Sequence, residues 1–271
     1  RFRQAGGAAA AASTILPGLV TGRSARAAPS ERINVAVLGL GGRGNRHLGN
    51  LLQMSDVQVR ATCDPNAKHA RNARDKTNNA YAERSGRDSY SDCRAYQDFR
   101  KVLARDDIDA VFVASPENWH ALLAASAIRA GKDVYCEKAL SLTVEEGRKL
   151  VDAVRTNGAV LQVGTQQRSA SQFRHACELV RNGYLGEIQD VRIGTPGGQA
   201  LSRVPAKEPP SYMDYDLWLG PAPWTPYDEQ KCNYHWYFMS DYCAGWIQSW
   251  GVHHLDILHW AMPDFARGRV S

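Results

Sequence analysis

Three glycines and one aspartate carry the first chemical signal in this sequence of 271 residues. Gly39, Gly41 and Gly44 have the spacing G-x-G-x-x-G, and Asp64 follows about twenty residues later. In a nucleotide site the first glycine permits a tight turn, the second lets the backbone approach a pyrophosphate, and the third lets a helix pack closely on a strand. A carboxylate at Asp64 would accept hydrogen bonds from the adenosine ribose and repel a 2′-phosphate, which favours NAD over NADP.

The elements around these residues fit such a site. Residues 33–38 are apolar and mostly β-branched, which predicts a buried parallel strand, and a helix is predicted to follow the glycines over 45–54. The start of that helix offers free N–H groups and a positive dipole end to phosphates. Two alternatives stay open. Asp64 could cap the next helix, because Asp-Pro-Asn is a good helix start, and Arg60 and Lys68 could serve the phosphate of NADP.

From residue 33 to about 163 the sequence alternates strand and helix patterns, which predicts a parallel sheet with helices on both faces. Further strands are predicted at 57–63, 108–114, 133–136 and 159–163. Further helices are predicted at 66–80, at 96–104, from the segment 115–120 to residue 130 and, opened by a capping box at Thr143, at 143–156. The polar stretch 71–94 has no clear period and is interpreted as a surface loop. Four strand ends carry polar or special residues, at 39–44, 64, 115–120 and 137–138, and ligands bind at the carboxyl ends of parallel strands.

Residues 1–30 differ from the rest and are predicted to be an export signal. Arg1 and Arg3 precede an alanine-rich run, and Ala25-Arg26-Ala27 is an A-x-A cleavage pattern. The start is similar to a twin-arginine signal without its first residues, which predicts an exported, periplasmic or extracytoplasmic protein; a leader without function is the alternative. Without its four arginines the formal net charge of +5 falls to +1, so the charge gives no support for nucleic-acid binding. No apolar run reaches the about 20 residues of a membrane span.

The cysteines and histidines do not predict a metal site. Six cysteines show no C-x-x-C pair. Cys63 and Cys136 end predicted strands and are expected to be inert core thiols, whereas Cys232 and Cys243 could form a disulfide after export, although free thiols are favoured. His253, His254 and Asp256 are close in sequence, but adjacent histidines on a helix point apart, so no metal is predicted.

Several motifs together resemble the glucose–fructose oxidoreductase/inositol dehydrogenase/MocA-like (Gfo/Idh/MocA) family. They are Gly39-Leu40-Gly41-Gly42-Arg43-Gly44, Val113-Ala114-Ser115-Pro116 with His120-Ala121, Cys136-Glu137-Lys138-Ala139-Leu140-Ser141, Gly164-Thr165-Gln166-Gln167-Arg168, and Gly251 with His253, His254 and Asp256. The leader and residues 214–223 are similar to an exported branch of that family. The resemblance implies a Rossmann-type doubly wound parallel sheet over 31–163. It also implies an α+β domain with a mostly antiparallel sheet over 164–271, opened by a strand at 188–193 and expected to be C-terminally truncated.

The resemblance also implies roles for single residues. The NAD(P) site would be formed by Gly39, Gly41, Gly42, Arg43, Gly44, Asp64, Ser115, Pro116, His120, Glu137, Lys138 and Gln166. Lys138 occupies the place of the lysine that sits beside the nicotinamide and the hydroxyl being oxidised, where it can handle the proton. Ala139 stands where proline is usual, which would leave the lysine less rigidly aimed.

The motif Asp-x-Gly-x-His-x-x-Asp of the family is matched by His253 and the trailing Asp256, while Ser249 replaces the first aspartate. On one helix, Ser249 and His253 would lie one turn apart and His253 beside Asp256, which predicts a proton relay through Lys138, His253 and Asp256. The expected substrate-binding residues are Arg168, Ser249, His253 and Tyr215. Two or three aromatic residues are expected in the pocket, from Tyr212, Tyr215, Trp218, Trp224, Tyr234, Trp236 and Tyr237.

The function implied is an NAD-dependent oxidoreductase that transfers hydride between a ring hydroxyl of a sugar, cyclitol or glycoside and the nicotinamide, as a homo-oligomer in its full-length form. One alternative is a glycoside-cleaving enzyme that keeps NAD bound, oxidises a ring hydroxyl transiently and breaks the glycosidic bond by elimination. Only the dehydrogenase would make stoichiometric NADH. A second alternative, favoured by Ala139 and Ser249, is a nucleotide-binding protein with little catalysis.

Overall fold

The computed structural model describes residues 31–202 and 204–264, so the predicted export signal lies outside the described residues. Six strands run in parallel: β1 Ile33–Leu38, β2 Val57–Cys63, β3 Arg94–Tyr96, β4 Ala110–Val113, β5 Asp133–Cys136 and β6 Leu161–Val163. Their order in the sheet is β3-β2-β1-β4-β5-β6. This is the Rossmann order, which reverses between β1 and β4 and places a ligand crevice at that point.

The helices lie between and after these strands. They are α1 Gly42–Leu51, α2 Ala67–Ser85, α3 Phe99–Leu103, α4 Glu117–Arg129, α5 Val144–Asn157, α6 Ser171–Arg181, α7 Tyr215–Leu219, α8 Gly245–Ser249 and α9 Gly251–Ala261. Short 3₁₀ turns occupy Gln166–Ser169 and His235–Phe238. None of the helices in the described part of the chain is long and apolar enough to cross a membrane.

Successive residues of β1 point into two separate cores. Ala36 and Leu38 pack in one cluster with residues of α4 and α5, while Val35 and Val37 pack in the other with residues of α1 and α2. A strand buried on both faces needs a continuous apolar run rather than alternation, which is the pattern that the sequence has here. The predicted doubly wound sheet is therefore confirmed.

The surface loop predicted over 71–94 is wrong for its first part, because α2 continues to Ser85 and ends at Gly86, which has φ 65°. Residues 87–93 are irregular, as predicted. A narrow stripe of buried residues spaced along this helix faces the sheet: Ala70, Ala73, Thr77 and Tyr81. Such a stripe is enough to dock a helix whose other faces are polar, so the polar composition does not exclude it. The three-residue strand β3 begins at Arg94, the last residue of this stretch.

The part of the chain after β6 differs more from expectation. The helix α6 is followed by irregular chain, and residues 188–193, predicted as a strand, belong to that irregular part. A strand needs a hydrogen-bonding neighbour, and residues 164–202 and 204–264 contain no strand that could pair with it. An aromatic cluster forms the core here, made of Tyr215, Trp218, Leu219, Tyr227 and Tyr242. All six cysteines are free thiols, and Cys63 and Cys136 are buried as predicted.

Candidate active site

The glycine loop after β1 is tightly packed on one side and open on the other. Gly39 has φ 87°, and a Cβ there would lie 2.6 Å from the backbone nitrogen of Ser115. A Cβ on Gly44 would lie 1.9 Å from the carbonyl oxygen of Gly39, so only glycine lets α1 approach the turn. Cβ atoms on Gly41 and Gly42 would meet nothing within 4 Å. The loop therefore leaves room for close approach of a pyrophosphate, as the spacing predicts.

Asp64 faces this loop from the end of β2. Its Oδ2 accepts a hydrogen bond from the backbone N–H of Leu40 at 2.7 Å, and its Oδ1 accepts one from the N–H of Asn66 at 2.8 Å. Asn66, rather than Asp64, caps α2, since its side chain accepts from the N–H groups of Lys68 and His69. The alternative of a helix cap at Asp64 is therefore wrong, and the carboxylate lines the cavity described below.

The two cations that could have served NADP are engaged elsewhere. Arg60 pairs with Asp92 at 3.2 Å and lies 3.8 Å from Asp107. Lys68 Nζ lies 3.7 Å from the centroid of the Tyr212 ring. The arrangement at the end of β2 thus favours a ribose with a free 2′-hydroxyl.

The end of β5 places Glu137 in a buried ion pair. Arg43 Nε and His47 Nε2 lie 2.6 Å and 2.7 Å from Glu137 Oε1. Burial would raise the pKa of Glu137, but the hydrogen bonds from His47 and Arg43 outweigh it and hold that pKa below its usual range. Glu137 is therefore an anion at neutral pH that ties α1 to the strand end carrying Lys138.

Lys138 is held by two hydrogen bonds from the second half of the chain. Its Nζ donates to Tyr237 Oη at 2.9 Å and to the backbone carbonyl of Ser249 at 2.8 Å. The Lys138–Ala139 peptide is cis although Ala139 stands where the family motif has proline. The expectation that Ala139 would leave the lysine less rigidly aimed stays a prediction.

His120 is buried between the loop that follows β4 and the loop that follows β5. It is 1% exposed, its Nδ1 lies 2.5 Å from the carbonyl oxygen of Ala139, and its Nε2 lies 2.9 Å from that of Ser115. Both ring nitrogens face backbone carbonyl oxygens, and a neutral imidazole can donate to one of them. His120 thus joins the loop after β4 to the loop after β5.

His253 and Lys138 line the same cavity. It is buried, its Nε2 lies 3.4 Å from Gln166 Nε2, and its Nδ1 has no hydrogen-bond partner among the described residues. Burial, and then the positive charge of Lys138, lower the pKa of His253. The imidazole is therefore neutral at pH 7 and can accept a proton.

The predicted relay through Asp256 is not formed. Arg168 Nε and Nη2 bind the two Asp256 oxygens at 2.7 Å and 2.8 Å, and neither ring nitrogen of His253 contacts that carboxylate. The helix is interrupted at Trp250, which separates α8 from α9, so residues 246–262 do not form one straight helix. Arg168, predicted to bind substrate, is committed to this ion pair.

Two further substrate-site predictions are also corrected. Ser249 directs its hydroxyl to Glu117 Oε1 rather than to the cavity. Tyr215 is a core residue whose hydroxyl donates to the carbonyl oxygen of Thr225 at 2.7 Å, and burial raises its pKa to about 12. Aromatic residues of the same types line the pocket and fill the core of this segment. The sequence alone therefore does not show which of them face the pocket.

Most of the predicted site residues line one cavity of about 590 Å³. Every predicted cofactor residue except Gly44 lines it, as do the catalytic candidates Lys138 and His253. Four of the seven aromatic candidates line it too: Trp218, Tyr234, Trp236 and Tyr237. Glu117 and Trp250 line it without having been predicted. Asp256, Arg168, Ser249 and Tyr215 lie outside the lining that the described residues form.

Two protein-family models match this chain. The first describes an oxidoreductase family with an NAD-binding Rossmann fold (GFO_IDH_MocA) and matches residues 33–165. The second describes the C-terminal alpha/beta domain of the same oxidoreductase family and matches residues 164–264. The chain belongs to this family. It is accordingly an NAD-binding Gfo/Idh/MocA protein, with a Rossmann domain followed by a C-terminal alpha/beta domain.

The relatives of this chain include proteins named as inositol dehydrogenases and proteins named as glycosyl hydrolases. Myo-inositol 2-dehydrogenase of Thermotoga maritima is 28% identical over 67% of this chain and 48% of its own length. A glycosyl hydrolase family 109 protein of Saccharopolyspora erythraea is 32% identical over 58% of this chain and 34% of its own length. Apo scyllo-inositol dehydrogenase from Lactobacillus casei superposes with a TM-score of 0.50 and 25% identity, over 58% of this chain and 44% of that one. The chain thus spans less than half the length of these relatives.

Proposed function

We propose that this protein transfers hydride between NAD and a ring CH–OH group of a sugar, cyclitol or glycoside. The observation that carries the proposal is the held amine of Lys138 at the cavity. An ammonium has three donors, and the protein accepts two of them through Tyr237 Oη and the Ser249 carbonyl. The third donor is left for an oxygen of a substrate.

The residues present fit NAD. Open space faces Gly41 and Gly42, and the buried Asp64 carboxylate lies beside the same loop. A positive φ at Gly39 and the start of α1 complete a phosphate cradle of the Rossmann kind. When bound there, NAD supplies the hydride acceptor or donor for the reaction.

The chain itself would handle the proton. In the reduction direction Lys138 Nζ would give a proton to the reacting oxygen. In the oxidation direction it would stabilise the negative charge that develops on that oxygen and take up the hydroxyl proton while releasing one of its own. His253, neutral at pH 7, would accept that proton at one ring nitrogen. This proposal replaces the three-residue relay by Lys138 and His253 alone.

A second candidate is cleavage of a glycoside through transient oxidation and elimination with the same residues. A glycosyl hydrolase family 109 protein is among the relatives, at 32% identity. The aromatic wall of Tyr234, Trp236, Tyr237 and Trp250 offers ring faces on which a sugar could stack.

The test is a turnover assay with NAD and a panel of inositols, free sugars and p-nitrophenyl glycosides. Net oxidation would give one NADH per product, whereas elimination would release p-nitrophenol with the NAD content unchanged. A mass spectrum of the denatured protein, read for released nucleotide, would show whether NAD is retained. Turnover of no compound by the wild type, or the same turnover by a Lys138→Ala variant, would contradict both candidates.

Export by the twin-arginine route and assembly into homo-oligomers stay predictions. Fusion of residues 1–30 to a reporter that fluoresces only when exported folded would test the first. Sedimentation of the full-length protein would test the second.

A further inference from the structure

A buried carboxylate is connected to the amine of Lys138 through one residue. Glu117 is the first residue of α4 and is 1% exposed. Its Oε1 accepts a hydrogen bond from Ser249 Oγ. The backbone carbonyl of the same Ser249 accepts from Lys138 Nζ at 2.8 Å. Ser249 is fully buried, and its bond to Glu117 is made away from solvent.

Three features surround the Glu117 carboxyl group. Glu117 begins α4, where the free N–H groups of a helix stabilise negative charge. Its other oxygen, Oε2, is buried without a hydrogen-bond partner among the described residues. The neighbouring thiol of Cys243 lies 3.4 Å from Ser249 Oγ, and burial, reinforced by the charge of Glu117, raises its pKa to about 11. The thiol therefore stays neutral.

The same turn of α4 also reaches the backbone beside Lys138. His120 lies three residues after Glu117 and contacts the carbonyl oxygen of Ala139 at 2.5 Å. The first turn of α4 thus reaches the lysine at its amine through Ser249, and the neighbouring residue Ala139 at its carbonyl oxygen through His120. A helix turn buried against the sheet is a rigid support for both contacts.

We propose that Glu117 is a positioning residue that aims the Lys138 amine by fixing Ser249. The inference rests on the proposed function, since it assigns the residue that orients the proposed proton carrier. Loss of the Glu117–Ser249 bond frees the peptide whose carbonyl holds Nζ, and a misplacement of a catalytic group by about 1 Å costs on the order of 100-fold in rate.

The test is a double-mutant cycle of Glu117→Ala and Ser249→Ala, with Glu117→Gln as the conservative variant. Each alanine variant should lower kcat by about 10- to 100-fold with KM and the Kd for NAD unchanged, and the double variant should be no slower than either one, because both remove the same bond. Glu117→Gln keeps an oxygen acceptor and should retain most of kcat. Glu145→Ala, at an exposed position on α5, is the control and should change nothing.

A second measurement separates this proposal from the proposed function. The rate at which trinitrobenzenesulfonate labels Lys138, followed by mass spectrometry, should rise about equally in both alanine variants and no further in the double variant. Lys132, whose Nζ donates to the carbonyl oxygen of Arg105 at 2.8 Å, serves as the internal standard. A wild type without turnover but with this labelling pattern would refute the oxidoreductase and keep the positioning role. Unchanged labelling and kcat in Glu117→Ala, or losses that multiply in the double variant, would overturn the proposal.

Discussion

Replacement of Lys138 by methionine separates catalysis from nucleotide binding. Methionine keeps much of the length and apolar stem of the side chain but removes the amine that donates to Tyr237 Oη and to the Ser249 carbonyl. General acid–base groups contribute about 10²- to 10⁴-fold, which corresponds to roughly 3–5 kcal/mol of barrier. We therefore expect kcat to fall by at least about 100-fold. The Kd for NAD should stay within about twofold, because the phosphate and ribose contacts expected at Gly41 and Asp64 are untouched.

The stability of the same variant should change little. The two acceptors lose charged hydrogen bonds, each worth about 1.5–3 kcal/mol, but the variant no longer has to desolvate an ammonium, so the terms largely offset. The assay is steady-state formation of NADH with the best compound of the panel, alongside a denaturant titration. Lys132→Met is the matched control, because Lys132 is also buried and also donates to a backbone carbonyl, that of Arg105, but lies outside the cavity lining. A kcat of Lys138→Met within about threefold of wild type would refute the assignment of the lysine.

Three further perturbations test the rest of the site. Gly44→Ala would put a Cβ 1.9 Å from the Gly39 carbonyl oxygen and should cost at least about 1–3 kcal/mol of unfolding free energy, whereas Gly49→Ala on the same helix should be neutral or stabilising by up to about 1 kcal/mol in denaturant titrations. Because the pKa of His253 is lowered, the unfolded chain takes up a proton before the folded one, so stability and kcat should both decline as pH falls below about 6.5, and His253→Asn should lose that dependence. Asp64→Asn should reduce the preference for NAD over NADP by about 10-fold in fluorescence titrations, and an unchanged ratio would contradict the ribose assignment.

The nucleotide half of the site was predictable from sequence because its constraints are local. Gly39 needs a positive φ, and Gly44 needs the absence of a Cβ, so the residue types themselves report the backbone. Asp64 and Lys138 each lie just after a strand of the parallel sheet, and the carboxyl ends of parallel strands meet at one edge. Topology alone then brings them to one cavity, without any knowledge of side-chain packing.

The second half of the site depends on contacts between distant segments, which the sequence does not encode locally. The i,i+3 relation between His253 and Asp256 is a property of α9, but Arg168 lies on a different element and takes the carboxylate. The break at Trp250 likewise changes which faces of 246–262 look into the cavity. The position of Glu117, a carboxylic acid two residues after Ser115 at the end of a buried strand, is a signal that the sequence does carry. Nothing in the sequence pairs Glu117 with Ser249.

The two departures from the family motif, Ala139 and Ser249, argued at first for a site that binds nucleotide without turning it over. Their structural consequence is smaller, because Lys138 is held through backbone atoms that any residue at these positions would supply. The Ala139 carbonyl oxygen contacts His120, and the Ser249 carbonyl accepts from Nζ. What the side chain of Ser249 adds is its bond to Glu117. A site that had lost its chemistry would have no reason to keep an amine, a neutral imidazole and a supporting carboxylate around one cavity, since buried polar groups destabilise a fold unless they are paired. The arrangement therefore favours catalysis over simple nucleotide binding. In it the Glu117 carboxyl group positions the lysine and does not contact the substrate.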